Sequence, residues 1–186
     1  MKKIIKSLLI AIFISFIFFF SISILALSSE WAISDKSKVR LISAKTSIDN
    51  NDEVFLGLEY QLDPGWKTYW KSPGDGGFPQ TIIWNNSNNI NELNIHWPIP
   101  KEFEILGFTS LGYEDKVIFP LNIKLKNKNK ITNIILNINY LVCKDVCIPG
   151  TANLSLEIKP GKGEFTEFFH EIEKSKSSLP IEDINI

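Results

Sequence analysis

Ile134-Ile135-Leu136-Asn137-Ile138-Asn139-Tyr140-Leu141-Val142-Cys143-Lys144-Asp145-Val146-Cys147-Ile148-Pro149-Gly150 holds both cysteines of the chain together with its clearest strand pattern. Successive side chains of a strand point to opposite faces, so Ile134, Leu136, Ile138, Tyr140 and Val142 share one inward face. Leu141 and Cys143 then point the other way. Four residues of extended strand span roughly 13 Å, whereas a disulfide needs its Cα atoms within about 7 Å. If Cys143 and Cys147 pair, the chain bends through Lys144-Asp145-Val146, and Pro149-Gly150 fixes its departure.

The same period of two recurs outward from this stretch. Lys38 to Ser47 begins the first strand, with Val39 and Leu41 on one face, and Val54, Leu56, Leu58, Tyr60 and Leu62 line the next. Trp66 to Trp70 reads as an aromatic strand that runs into the glycine- and proline-rich loop ending at Pro79. Gln80 to Trp84 and Leu93 to Trp97 are short strands, and Val117 to Leu125 is a longer one that Pro120 assigns to an edge or a bulge. Leu154, Leu156 and Ile158 mark the last strand. About eight short strands separated by turn residues, with no helix among them, predict an all-β antiparallel two-sheet sandwich. Only the end differs: Phe165, Phe168, Phe169 and Ile172 recur at helical spacing, which predicts a short amphipathic helix from Glu164 to about Ser175, docked on the sandwich and stopped before Leu179-Pro180.

The beginning of the chain reads as an export signal, because Lys2, Lys3 and Lys6 precede an apolar run from Leu8 to Leu27 and the small residues Ala26 and Ser28 permit cleavage after Ser28. An uncleaved anchor is the alternative, since the run is long enough to cross a bilayer. The chain therefore divides into a signal over 1–28, a β domain over 29–160, and a helix and tail over 161–186. Without the signal the net charge moves from −1 to −4, because three lysines and no acids are removed. Nothing basic enough to hold nucleic acid remains.

Two cysteines in an exported chain normally form a disulfide. Closing so short a loop stabilises the fold by only roughly 2 kcal/mol, so the spacing alone leaves a structural bridge and a redox-active pair both open. Two cysteines with only His96 and His170 besides them are a poor supply of zinc ligands, and His96 reads as a packed or rim residue. Monovalent copper suits thiolates better, although the only methionine is Met1. Thiol–disulfide exchange asks least of these residues and needs no metal or cofactor beyond the cysteines themselves. Lys144 favours the thiolate and Asp145 opposes it. Phe103-Glu104-Ile105-Leu106-Gly107-Phe108-Thr109 is too apolar for a solvated loop and is expected to fold over something. A second class of function is a sandwich binding module in which the bridge is structural and the loop from Trp66 to Phe78 meets a partner.

The phrases Asp63-Pro64-Gly65-Trp66-Lys67-Thr68-Tyr69-Trp70, Ser72-Pro73-Gly74-Asp75-Gly76-Gly77-Phe78-Pro79, Leu111-Gly112-Tyr113-Glu114-Asp115 and Tyr140-Leu141-Val142-Cys143-Lys144-Asp145-Val146-Cys147-Ile148-Pro149 resemble the N-terminal periplasmic domain of the DsbD and ScsB thiol:disulfide interchange proteins, most nearly the ScsB branch. The likeness covers roughly residues 31 to 160. It implies an immunoglobulin-like fold and a periplasmic domain that takes electrons from a thioredoxin-like domain and passes them to thioredoxin-fold proteins. It further implies that Cys147 attacks and Cys143 resolves, that Phe103, Ile105, Leu106 and Phe108 belong to a cap over the pair, and that Tyr69 and Tyr140 are aromatics beside it. Full-length members continue into a membrane domain and a thioredoxin-like domain, so a membrane electron donor in trans is the expected partner. The ScsB likeness also suggests copper tolerance as an alternative role.

Overall fold

Tight turns and period-two strands dictate most of the architecture. The computed structural model describes residues 25–105 and 107–180. Most of the expected signal, the side chain of Ile105, Leu106 and the tail from 181 onward lie outside the described residues. Among the described residues eleven strands run in order: β1 (Ala32–Ser34), β2 (Ser37–Ser43), β3 (Glu53–Leu62), β4 (Lys67–Gly74), β5 (Thr81–Ile83), β6 (Ile90–Ile95), β7 (Lys101–Ile105), β8 (Phe108–Glu114), β9 (Lys116–Leu125), β10 (Thr132–Cys143) and β11 (Cys147–Ile158). Helix α1 (Phe169–Ser177) follows them.

The strands form two antiparallel sheets, one ordered β1-β2-β3-β9-β6 and the other β11-β10-β4-β8-β7, with β5 also paired to β10. Between them lies a core in which Leu41, Leu56, Leu58, Tyr60, Leu121, Ile123, Ile134, Leu136 and Val142 have no exposed surface. An aromatic cluster crosses it: Tyr60 meets Phe119 and Tyr140 edge-on at 5.5 and 5.1 Å, and Tyr113 meets Phe119 at 5.1 Å. A buried hydrogen bond of 2.8 Å between the hydroxyls of Ser37 and Tyr140 ties the two sheets together.

Several expectations about the strands change. The apolar stretch from Phe103 to Thr109 is the end of the β7–β8 hairpin rather than a loop; among the described side chains of its edge strand Phe103 is half-buried between exposed Glu102 and Glu104, an alternation too short to mark a strand by itself. Pro120 sits in β9, an internal strand between β3 and β6. Its carbonyl accepts from the His96 N–H at 2.8 Å, so its nitrogen also faces the flank where β6 has already ended, and no ladder bond is lost. Pro149 and Gly150 belong to β11, opposite Leu141 and Tyr140, instead of ending the turn.

The helix begins later than its apolar spacing suggests. Residues 164–166 are held extended, with the Thr46 N–H donating to Glu164 at 2.9 Å and the Thr166 N–H donating to Ala44 at 3.1 Å. Phe165 is therefore outside the helix and mostly exposed, stacked on Phe169. Phe168 and Ile172 pack with Ile42, Ala44 and Ile118 on the outer face of the first sheet. Gly57 makes that approach available, because a Cβ there would stand 2.7 Å from Ile118 and 3.2 Å from Ile172. Beside this contact Glu59, fully buried, accepts from Arg40 at 2.7 Å and Gln61 at 2.9 Å and pairs with Lys116 at 3.1 Å. Lys116 reaches on to Glu171 of α1.

Candidate functional site: a disulfide at a hairpin end

β10 and β11 pair over their whole length, from Thr132 opposite Ile158 to Cys143 opposite Cys147. The three residues between the cysteines close the hairpin, with the Lys144 N–H donating to the Val146 carbonyl at 3.0 Å. Register alone thus brings the cysteines together, with Cα atoms 4.1 Å apart and sulfurs joined at 2.04 Å. The alternation that sends Tyr140 and Val142 into the core sends Cys143 to the outer face of the second sheet, where it packs with Tyr69, Phe103, Leu141 and Cys147.

Strand β4 builds the floor of the site. Val142 pairs with Thr68 and Cys143 with Lys67, and the Thr68 hydroxyl donates to the Leu141 carbonyl at 3.1 Å. Tyr69, one residue on, returns to the outer face with 2 % of its surface exposed. Its hydroxyl lies 3.4 Å from the Gly76 carbonyl and 3.9 Å from Cys147 Sγ. Burial raises the pKa of the Tyr69 phenol, which keeps it protonated and able to donate.

After Tyr69 the pairing of β4 with β8 slips, from Tyr69 opposite Gly112 to Gly74 opposite Ser110. This bulge throws the glycine-rich loop back over the tyrosine. A Cβ on Gly77 would lie 2.3 Å from the Tyr69 ring, and one on Gly76 would lie 2.9 Å from Phe108. Both glycines are needed so that the loop can rest against two aromatic side chains. The loop that the sequence offered as a binding element is thus the wall behind Tyr69.

The cysteines differ in access. Cys143 is fully buried and Cys147 half-buried. Phe103, half-buried on β7, covers the pair from the side, and the Lys67 ammonium stands 5.2 Å from its ring centre. Around this cover Val146, Phe78 and Phe108 are 57 %, 74 % and 51 % exposed. Tyr140 takes no part: its position on β10 points it between the sheets, and Gly150 opposite leaves room for its ring, a Cβ there falling 2.4 Å away. His96 is exposed beyond the end of β6. No group of three or more His, Cys, Asp or Glu side chains converges among the described residues. Sequence reasoning passed over Lys67 and the paired glycines, although the facing position of Lys67 could be found only once β4 was registered against β10.

These features define a class, an immunoglobulin-like antiparallel sandwich that carries a disulfide across a hairpin end under an aromatic cover. Residues 38–159 match the family described as "Thiol:disulfide interchange protein DsbD, N-terminal", and the chain belongs to that family. Among solved structures it resembles the N-terminal periplasmic domain of ScsB from Proteus mirabilis, at 28 % identity and a TM-score of 0.68, covering 84 % of this chain and 61 % of that one. The Neisseria meningitidis DsbD N-terminal domain in the reduced form aligns at 11 % identity and a TM-score of 0.37, over 69 % of this chain and 90 % of that one. The search of curated proteins returned no match.

Proposed function

We propose that this protein is an exported, periplasmic thiol:disulfide exchange domain that relays electron pairs between thioredoxin-fold proteins through Cys143 and Cys147. The observation that carries this reading is the unequal exposure of two bonded cysteines, one sealed and one reachable, beneath a cover made by a single edge hairpin. A bridge serving only as a staple gains nothing from such an arrangement, and its loop is too short to stabilise the fold by more than roughly 2 kcal/mol.

In the loading step a donor thiolate attacks Cys147 Sγ, the Cys143–Cys147 bond breaks, and Cys143 leaves as a thiolate. The donor's second thiolate then attacks its own sulfur in the mixed disulfide and releases Cys147, so the donor is oxidised and this domain holds the electron pair. In the delivery step the Cys147 thiolate attacks a client disulfide and expels a client thiolate. Cys143 then attacks Cys147 Sγ, restoring the bridge and freeing the reduced client. Tyr69 stands where its hydroxyl can donate to Cys147 Sγ, and Phe103 flanks the pair that a partner sulfur has to reach.

The test is to mix the reduced domain with an oxidised thioredoxin-fold protein and follow both redox states. Complete two-electron transfer is expected. Cys143→Ala should accumulate a mixed disulfide through Cys147, whereas Cys147→Ala should form none. A reduction potential below about −300 mV, together with no trapped complex, would show an inert bridge.

A further inference from the structure

A thiol sealed among apolar side chains is a poor leaving group, because burial disfavours its charged form. Cys143 is in that position, with no exposed surface and with Tyr69, Phe103 and Leu141 about it. Yet exchange requires it to depart as a thiolate and later to attack as one. Something nearby must offset the burial. Cys143 has two register neighbours, Cys147 on β11 and Lys67 on β4. Residues directly opposite in an antiparallel pair point to the same face, with Cβ atoms about 5 Å apart.

Lys67 is held ready for this. Its ammonium donates to the Gly65 carbonyl at 3.2 Å and faces the Phe103 ring at 5.2 Å, and neither partner carries a formal charge. Among the described residues no carboxylate lies within ion-pair distance of it. Glu114, its opposite neighbour on β8, is engaged by Lys101 at 2.8 Å. Of the two charged groups in the turn, Asp145 is exposed, and Lys144, exposed as well, lays its ammonium over Gly65, 3.1 Å from where a Cβ would stand there, so it is the second cation that the experiment must separate from Lys67. Tyr69 brings only a neutral hydroxyl, directed at Cys147 rather than at Cys143.

We infer that Lys67 is the residue that stabilises the Cys143 thiolate, and so sets how readily the buried sulfur leaves and returns in each exchange step. When the bridge is attacked at Cys147, the electron pair of the broken bond stays on Cys143 Sγ, and the ammonium of its cross-strand neighbour, which shares Phe103 with it, balances the new charge without any proton transfer. The inference rests on the exchange reading for its purpose, but its own measurements need no partner protein.

The experiment removes the second sulfur and titrates the first. In a Cys147→Ser background, thiolate absorbance against pH gives the pKa of Cys143, with circular dichroism to confirm the fold. Lys67→Met should raise that pKa by at least about one unit, the lower end of the effect of an opposite charge on a neighbouring group, and Lys67→Arg should restore most of it. Lys144→Met should move it much less. With both cysteines present, Lys67→Met should also slow reduction of the bridge by a small dithiol at neutral pH, with Lys67→Arg close to the parent. An unchanged pKa in Lys67→Met, or an equal rise in Lys67→Arg, overturns the inference. Lys67→Gln serves in the same comparison if the methionine variant does not fold. Should these shifts appear while no thioredoxin-fold protein exchanges with the domain, the inference stands and the proposed partners fall.

Discussion

At Gly77 the whole side of the site depends on a missing methyl group. Its Cβ would fall 2.3 Å from the Tyr69 ring, so Gly77→Ala must displace either the ring or the loop. The expected result is a loss of about 1–3 kcal/mol of stability, read from denaturant unfolding, with faster reduction of the bridge by a small thiol as the wall behind Tyr69 loosens. Phe103→Ala tests the cover from its other side. Because Phe103 is only half-buried, its loss should cost little stability while raising the reactivity of Cys143 toward a small alkylating agent in the reduced protein. Unchanged reactivity would remove Phe103 from the cover. Lys67, Tyr69 and Phe103 were all visible in the sequence as residues, but only Tyr69 and Phe103 carried a reason to be singled out. A lysine at the start of a strand looks solvated until its partner across the ladder is known to be a cysteine.

Among the elements, the β10–β11 hairpin and the helix answer to different demands. The hairpin's pattern was open to reading because every second residue from Ile134 to Val142 is apolar and buried, which fixes register and hence the side on which Cys143 emerges. The β7–β8 hairpin was hidden, because the alternation of Glu102, Phe103 and Glu104 in its edge strand is too short to mark a strand by itself. Helix α1 lies on the outer face of the first sheet, whereas the disulfide lies on the outer face of the second. Ile172→Ala should therefore cost about 3 kcal/mol, as the loss of a fully buried isoleucine does, and leave the rate of dithiol reduction unchanged. The Glu59 network beside the helix gives an acid limit to stability. Burial alone would raise the Glu59 pKa, but hydrogen bonds from Gln61, Arg40 and Lys116 outweigh it and leave the pKa lowered. Its contribution is complete above the ordinary glutamate range near about 4.3 and is lost as pH falls through the lower folded value. Glu59→Gln should flatten that acid slope in urea midpoints measured across pH and should destabilise at neutral pH, where Arg40 and Lys116 lose their buried partner.

For the molecule as a whole, the core and the bridge are separable. The sandwich buries a continuous apolar layer between two sheets, and the five-residue loop closed by the disulfide adds only roughly 2 kcal/mol. Replacing both cysteines by serine should lower the melting temperature by a few degrees, leave the circular dichroism spectrum intact, and abolish exchange with a thioredoxin-fold partner. A variant that failed to fold would show the bridge to be a staple after all. Local period, turn chemistry and the spacing of two cysteines were sufficient by themselves to determine a β-sandwich with both cysteines about a turn at a strand end and a trailing helix, because each of those signals depends on residues close together in the chain. Which cysteine is sealed, what covers it, which lysine faces it across the ladder and why Tyr140 is absent from the site were decided only when distant strands were laid against one another. Register and sheet face are properties of pairing between segments far apart in sequence, and no single segment carries them.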